Sequence, residues 1–140
     1  MTLRIPRRPA LGLAAFALVA LLGCGGSDAS VSGTVTLDGT PIDAGAVTFV
    51  PEGGDAGRIK VGGAILNGKY VVESGRGLLP GKYKVEFNWR KKTGRKTPTG
   101  DGDPVEETKE GLPAKFNTAT TQTADIKSGA QPLDFALTSK

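Results

Sequence analysis

Histidine is absent from the 140 residues, and cysteine, methionine and tryptophan occur once each. Without histidine, Ser-His-Asp and Cys-His catalysis are excluded, as are His-ligated zinc and haem. A single cysteine excludes an intrachain disulfide, a four-cysteine zinc site and a CxxC redox pair. Strong charge of one sign is missing too, with 18 basic residues against 14 acidic ones. The chain is rich instead in glycine, with 21 residues, and carries 9 prolines. Such a chain favours short segments punctuated by turns over long helices, and its length suits one domain.

The N-terminal segment reads as an address. Arg4, Arg7 and Arg8 precede an uncharged apolar run, Ala10–Leu22. At ~20 residues for a bilayer-spanning helix, this run is too short, and its basic flank matches a secretory signal peptide. The run ends in Leu21-Leu22-Gly23-Cys24-Gly25, which resembles the lipobox of bacterial lipoproteins. That resemblance implies cleavage before Cys24 and a diacylglyceryl thioether on its sulfur, so residues 1–23 are expected to be a lipoprotein signal peptide. Two or more acyl chains exceed what stable membrane anchoring needs, since one myristoyl chain binds only marginally. Gly25 stands where aspartate would imply inner-membrane retention. The expected location is therefore the cell envelope, lipid-anchored in the outer membrane on its periplasmic or surface face. Loss of Arg4, Arg7 and Arg8 leaves the mature chain nearly neutral, which removes the main support for nucleic-acid binding.

After a small, polar tether at residues 24–30, period-two alternation begins. Val31–Leu37 alternates apolar or small residues with hydroxylated ones, as a half-buried strand does. Asp38-Gly39-Thr40-Pro41 follows as a turn. Further strands are expected at Ala46–Val50, more weakly at Arg58–Ile65, and at Lys69–Glu73 after a tight Asn67-Gly68 turn. Lys82–Arg90 is the clearest, with Tyr83, Val85, Phe87 and Trp89 on one face and Lys82, Lys84, Glu86 and Asn88 on the other. Thr121–Lys127 and Leu133–Leu137 are expected to form a hairpin around a turn at Ser128–Gln131. No stretch sustains helical periodicity. The expectation is an all-β domain over 31–140, a seven-stranded antiparallel β-sandwich.

Residues 91–113 break the pattern. They hold three prolines and almost no apolar side chain, and they read as a long charged loop of the kind that is usually functional or disordered. Its charge is segregated. Arg90, Lys91, Lys92, Arg95 and Lys96 come first, and Asp101, Asp103, Glu106, Glu107 and Glu110 follow. The five basic residues are the candidate docking site for a charged partner such as lipid head groups or anionic glycans; the competing reading is a solvated excursion whose basic and acidic halves partly neutralise each other. The acids lack the spacing of an EF-hand calcium loop, and the acids elsewhere sit on outward strand faces, where they do not converge on a cleft. No metal, cofactor or catalytic residue is expected.

The ordered pieces, Val31–Ile42, Ala46–Pro51, Asn67–Tyr70, Pro80–Val85, Leu112–Asn117 and Leu133–Leu137, together resemble the carboxypeptidase regulatory-like (transthyretin-like) domains of small bacterial lipoproteins. The resemblance implies a prealbumin-like, Ig-like sandwich and a non-catalytic role. The expected function is a lipid-anchored envelope module that is structural or binds other proteins, with an envelope protein or glycan as partner. The alternative is a carbohydrate-binding module, which requires Tyr83 and Trp89 exposed and coplanar. An inhibitor would need a rigid, protruding segment at 91–113.

Overall fold

Two tight turns fix the register of the first strands. Asp38 and Gly39 have φ of 49° and 80°, and Asn67 and Gly68 have φ of 50° and 76°. Both pairs thus adopt the left-handed conformations that a two-residue hairpin turn demands. In the computed structural model, which describes residues 28–53, 57–100 and 102–140, these turns join β1 (Ala29–Leu37) to β2 (Thr40–Pro41), and β4 (Val61–Leu66) to β5 (Lys69–Val72). Between the two hairpins lies β3 (Ala44–Pro51). Next comes β6 (Gly81–Thr99), and after it β7 (Gly102–Glu110), β8 (Thr123–Ile126), β9 (Gly129–Pro132) and β10 (Phe135–Leu137). A 3₁₀ turn at Ala114–Phe116 carries the chain from β7 toward β8. The signal peptide and Cys24 lie outside the described residues.

The protein is all-β, built on one curled, mainly antiparallel sheet of order β10-β1-β5-β4-β3-β6-β7, with β8 on β6 and both β2 and β9 on β1. Ten strands form among the described residues, where seven were expected. Two pairings of β1, with β9 and with β10, are parallel. The expected C-terminal hairpin is therefore absent. Thr123–Ile126 pairs with β6, whereas the segment read as a turn, Gly129–Gln131, pairs with the start of β1. Composition concealed this strand because its residues have small or polar side chains and an edge ladder needs only backbone. The two sheet ends come together through Gln131. Its side-chain oxygen accepts from the Lys127 N–H at 2.9 Å, and its amide donates to the Asp125 carbonyl at 3.2 Å. One side chain thus supplies hydrogen bonds that the ladder lacks between β8 and β9.

Curling turns the alternating apolar faces inward. Val31, Val35, Val47, Phe49, Ile65, Tyr83, Val85 and Phe87 are essentially inaccessible to solvent. Phe87 meets Phe135 edge-on with centroids 4.8 Å apart, a geometry that adds to simple burial. Each buried tyrosine satisfies its hydroxyl on backbone. Tyr70 donates to the Leu133 carbonyl at 2.7 Å and Tyr83 to the Leu79 carbonyl at 2.8 Å. Burial pushes the Tyr70 phenol up, with the Asp134 carboxylate adding to the effect. The expectation for β6 holds for Tyr83, Val85 and Phe87, while Trp89 is half-buried at the core's margin.

The segment expected as a long loop is not one. β6 continues ten residues past Trp89, and β7 returns antiparallel to it, from Arg90↔Glu110 to Thr99↔Gly102. Residues 90–110 form a two-stranded arm. At ~3.4 Å per residue, it extends about 30 Å beyond the end of β3.

Candidate functional site

Glu110 and Trp89 fasten the arm to the body. The Glu110 carboxylate accepts from the Trp89 N–H at 3.0 Å, the Asn88 side-chain amide at 3.0 Å and the Leu112 N–H at 2.9 Å. Burial alone would raise this carboxyl, but these N–H donors outweigh it and hold it below its ordinary value. The Trp89 indole donates to Asp43 at 2.6 Å, ahead of the first residue of β3, and this bond is the main reason that the Asp43 carboxyl is lowered. Gly111 closes the root. Its N–H donates to the Trp89 carbonyl at 2.9 Å, and a Cβ at this position would stand 2.7 Å from the indole ring. Only glycine lets the returning strand pass so close to tryptophan.

Beyond the root, the backbone ladder pairs the two strands and sets basic residues across from acidic ones. All five docking candidates lie on the β6 side of the arm, and the acids Asp103, Glu106, Glu107 and Glu110 lie on β7; Asp101 falls outside the described residues. Lys92 binds Glu106 at 3.0 Å, which raises the Lys92 ammonium. Arg90 stands opposite Glu110, and Lys96 opposite Glu106. Between Lys92 and Lys96 the register shifts through a bulge where Gly94 takes φ 77°, and the Thr93 hydroxyl ties it to the Glu107 carbonyl at 3.1 Å. Opposite pairs share a face. Hence Arg90, Lys92 and Lys96 share one face with Glu106 and Glu110. Lys91 and Lys109 oppose each other on the other face, where the Lys91 ammonium lies 5.1 Å from the Trp89 ring centroid.

The arm also has open edges. β3 reaches β6 only as far as Gly45↔Trp89, so from Arg90 onward that edge of β6 has no strand beside it among the described residues. β7 pairs with β6 alone. Direction matters as well. Ala29 enters the sheet beside Leu78, to whose carbonyl its N–H donates at 2.9 Å, close to the start of β6. The arm leaves from the far end of the same strand. Chain entry and arm therefore lie at opposite ends of the sheet.

The other surfaces offer less than the arm does. Tyr83 is fully buried and Trp89 is wedged between Gly111 and Lys91, so the two do not form the coplanar exposed platform that the carbohydrate-binding alternative needs. A shallow trough of about 750 Å³ crosses the outer face of β3, β4 and β5, floored by Ala46, Gly62 and Ala64 and flanked by exposed Leu66 and Val71. Its lining carries no converging carboxylates. Among the described residues, no three side chains able to ligate a metal come together.

Sequence reading found the arm's five cations but neither its strands nor its root. The available signal was the charge pattern, a basic run and then an acidic run divided by the turn-forming Thr97–Gly102 stretch. Nothing in the local sequence announced Glu110 or Asp43, whose partners are far along the chain. Compared with models of protein families, with curated proteins and with solved structures, the chain matches none of them.

Proposed function

We propose that this protein is a non-catalytic, lipid-anchored lipoprotein of the cell envelope that engages another envelope component through its arm. In this reading Cys24 carries the lipid and residues 25–28 are the tether, shorter than the sequence suggested because Ala29 and Ser30 already pair in β1 and Ala29 is buried. The body over 31–140 is a β-sandwich of the carboxypeptidase regulatory-like kind, with the arm as its interaction element. The observation that carries the reading is the arm itself, a charged two-stranded ribbon tied to the body by Glu110 and Trp89 and directed away from the point of chain entry. A solvated excursion needs no such root. Three carboxylates of the body serve structure, which supports a non-catalytic role. Asp134 accepts from the Thr34 N–H and hydroxyl at 2.7 and 2.9 Å, Asp38 accepts from the Ser139 N–H at 3.0 Å, and Asp43 holds Trp89. An ordered, projecting arm also suits an inhibitor of an envelope enzyme, and capture of a hydrolase by the arm would favour that version.

Labelled palmitate tests the anchor. Wild-type chain is expected to incorporate label and to partition with membranes, and Cys24→Ala to do neither. Unlabelled wild-type chain with an intact leader would overturn the anchoring.

A further inference from the structure

We infer that the open edge of β6 over residues 90–97 is a strand-addition site for an extended, acidic peptide segment of a partner protein. The inference deepens the proposed function and rests on its reading of the arm as the interaction element. Two independent features converge on this edge. The first is backbone: β3 pairs no further along β6 than Trp89, so on either side of the bulge at Thr93–Arg95, where the Arg95 N–H is held by the Thr93 hydroxyl at 3.3 Å, the N–H and C=O groups that would continue this ladder have no strand beside them among the described residues. Such an edge is a template for another strand, and main-chain hydrogen bonds then supply affinity. The second is charge. Arg90, Lys91, Lys92, Arg95 and Lys96 follow one another here with no acid among them.

Together these features choose the partner. A basic or neutral strand laid on this edge meets a row of cations, and a second copy of the same edge is repelled, as lysine-lined edges ordinarily are. An acidic strand puts carboxylates beside those cations on both faces of the ribbon. Lys91 is the sharpest case. Its cross-strand neighbour is Lys109, a like-charge pair that an acid on the other side of β6 relieves. The opposite edge of the arm, on β7, carries Asp103, Glu106, Glu107 and Glu110 and disfavours the same peptide, so the ribbon is polar across its width. At the base of the edge lies a trough lined by Ala44, Ala46, Ile65 and Leu66 and, on its polar side, by Asn88, Arg90 and Glu110, so the peptide's end seats there through an uncharged residue. Lipid headgroups and anionic glycans share the charge complement and can accept from single backbone N–H groups, but they cannot extend the ladder as a strand does. The arm moreover points away from the end where the tether enters.

The test titrates the full chain, purified in detergent, with defined probes. They are an alternating Glu/Thr peptide, its Lys/Thr counterpart, the Glu/Thr peptide N-methylated along one edge, phosphatidylglycerol vesicles and polygalacturonate. Amide exchange is read over residues 90–97. The Glu/Thr peptide is expected to bind at least about tenfold tighter than the Lys/Thr peptide, to slow exchange at 90–97, and to lose both effects on N-methylation. Lys91→Glu with Arg95→Glu spares the Lys92–Glu106 bridge and sets an acid opposite Lys109, so the arm stays paired while the tenfold preference collapses. The proposal is overturned if no peptide binds, or if the N-methylated peptide binds equally well. It is overturned equally if polygalacturonate, or vesicles offered to the Cys24→Ala chain in detergent-free buffer, slow exchange at 90–97 more than the Glu/Thr peptide does, which would leave a plain cationic patch. A chain that binds the Glu/Thr peptide yet takes up no palmitate retains this inference and loses only the anchor.

Discussion

The body and the arm are made of the same strand geometry but held by different forces. In the body, side chains alternate between a water-free interior and solvent, and aromatic residues from distant strands interlock. In the arm both faces are wet, no side chain among the described residues is fully buried, and the backbone ladder, the Thr93 hydroxyl at the bulge and a well-bonded root keep the two strands together. An isolated two-stranded hairpin is at best marginally stable in water. The arm therefore depends on the body, while the body has little need of the arm. Ordering and exposure are thereby separated, and an edge can be displayed without spending core residues on it.

That asymmetry can be broken from either side. Phe87→Ala removes a buried ring that touches Phe135 and is expected to destabilise the whole molecule by ~3–5 kcal/mol, read as a lowered midpoint of denaturant unfolding with body and arm lost together. Glu110→Gln acts locally. It keeps the shape but weakens charge-assisted bonds to Asn88, Trp89 and Leu112, at about 1 kcal/mol after allowing for solvent exposure. The expected signature is faster amide exchange across the arm with body amides unchanged.

Acid should sharpen the same contrast. Glu110 and Asp43 are held below their ordinary values, so their contribution is complete at neutral pH. It is lost as pH falls below the ordinary carboxylate range and through the lowered values. Arm amides, corrected for intrinsic exchange, should lose protection in that window before body amides do. Smallest of all, Lys92→Ala removes an exposed bridge to Glu106 and is expected to leave the melting temperature unchanged within error, in low or high salt.

What could be read from the sequence follows the same division. Strands β1, β3, β5 and the first half of β6 announce themselves because burial on one face forces period two, and Asp38-Gly39 and Asn67-Gly68 announce their turns because few residues accept positive φ. The outer half of β6 and β7 carry no such mark, since a ribbon wet on both faces places no apolar demand on either. The segregation of charge and the partial neutralisation of its two halves were visible, and the strand pairing that brings them together was not. β9 was missed because Gly129, Ala130 and Gln131 contribute backbone and one amide side chain rather than a buried face. Its parallel pairing with β1 is a long-range relation that local patterning does not encode.

Residue-resolved amide exchange of the full chain at neutral pH tests the account most directly, because every role given to the arm requires it to be a built hairpin. Slowed exchange is predicted at amides bonded between Arg90–Lys92 and Thr108–Glu110, weaker than in β3 and the first half of β6 but well above that of an unstructured chain. Free exchange throughout 90–110, with the body fully protected, would contradict it.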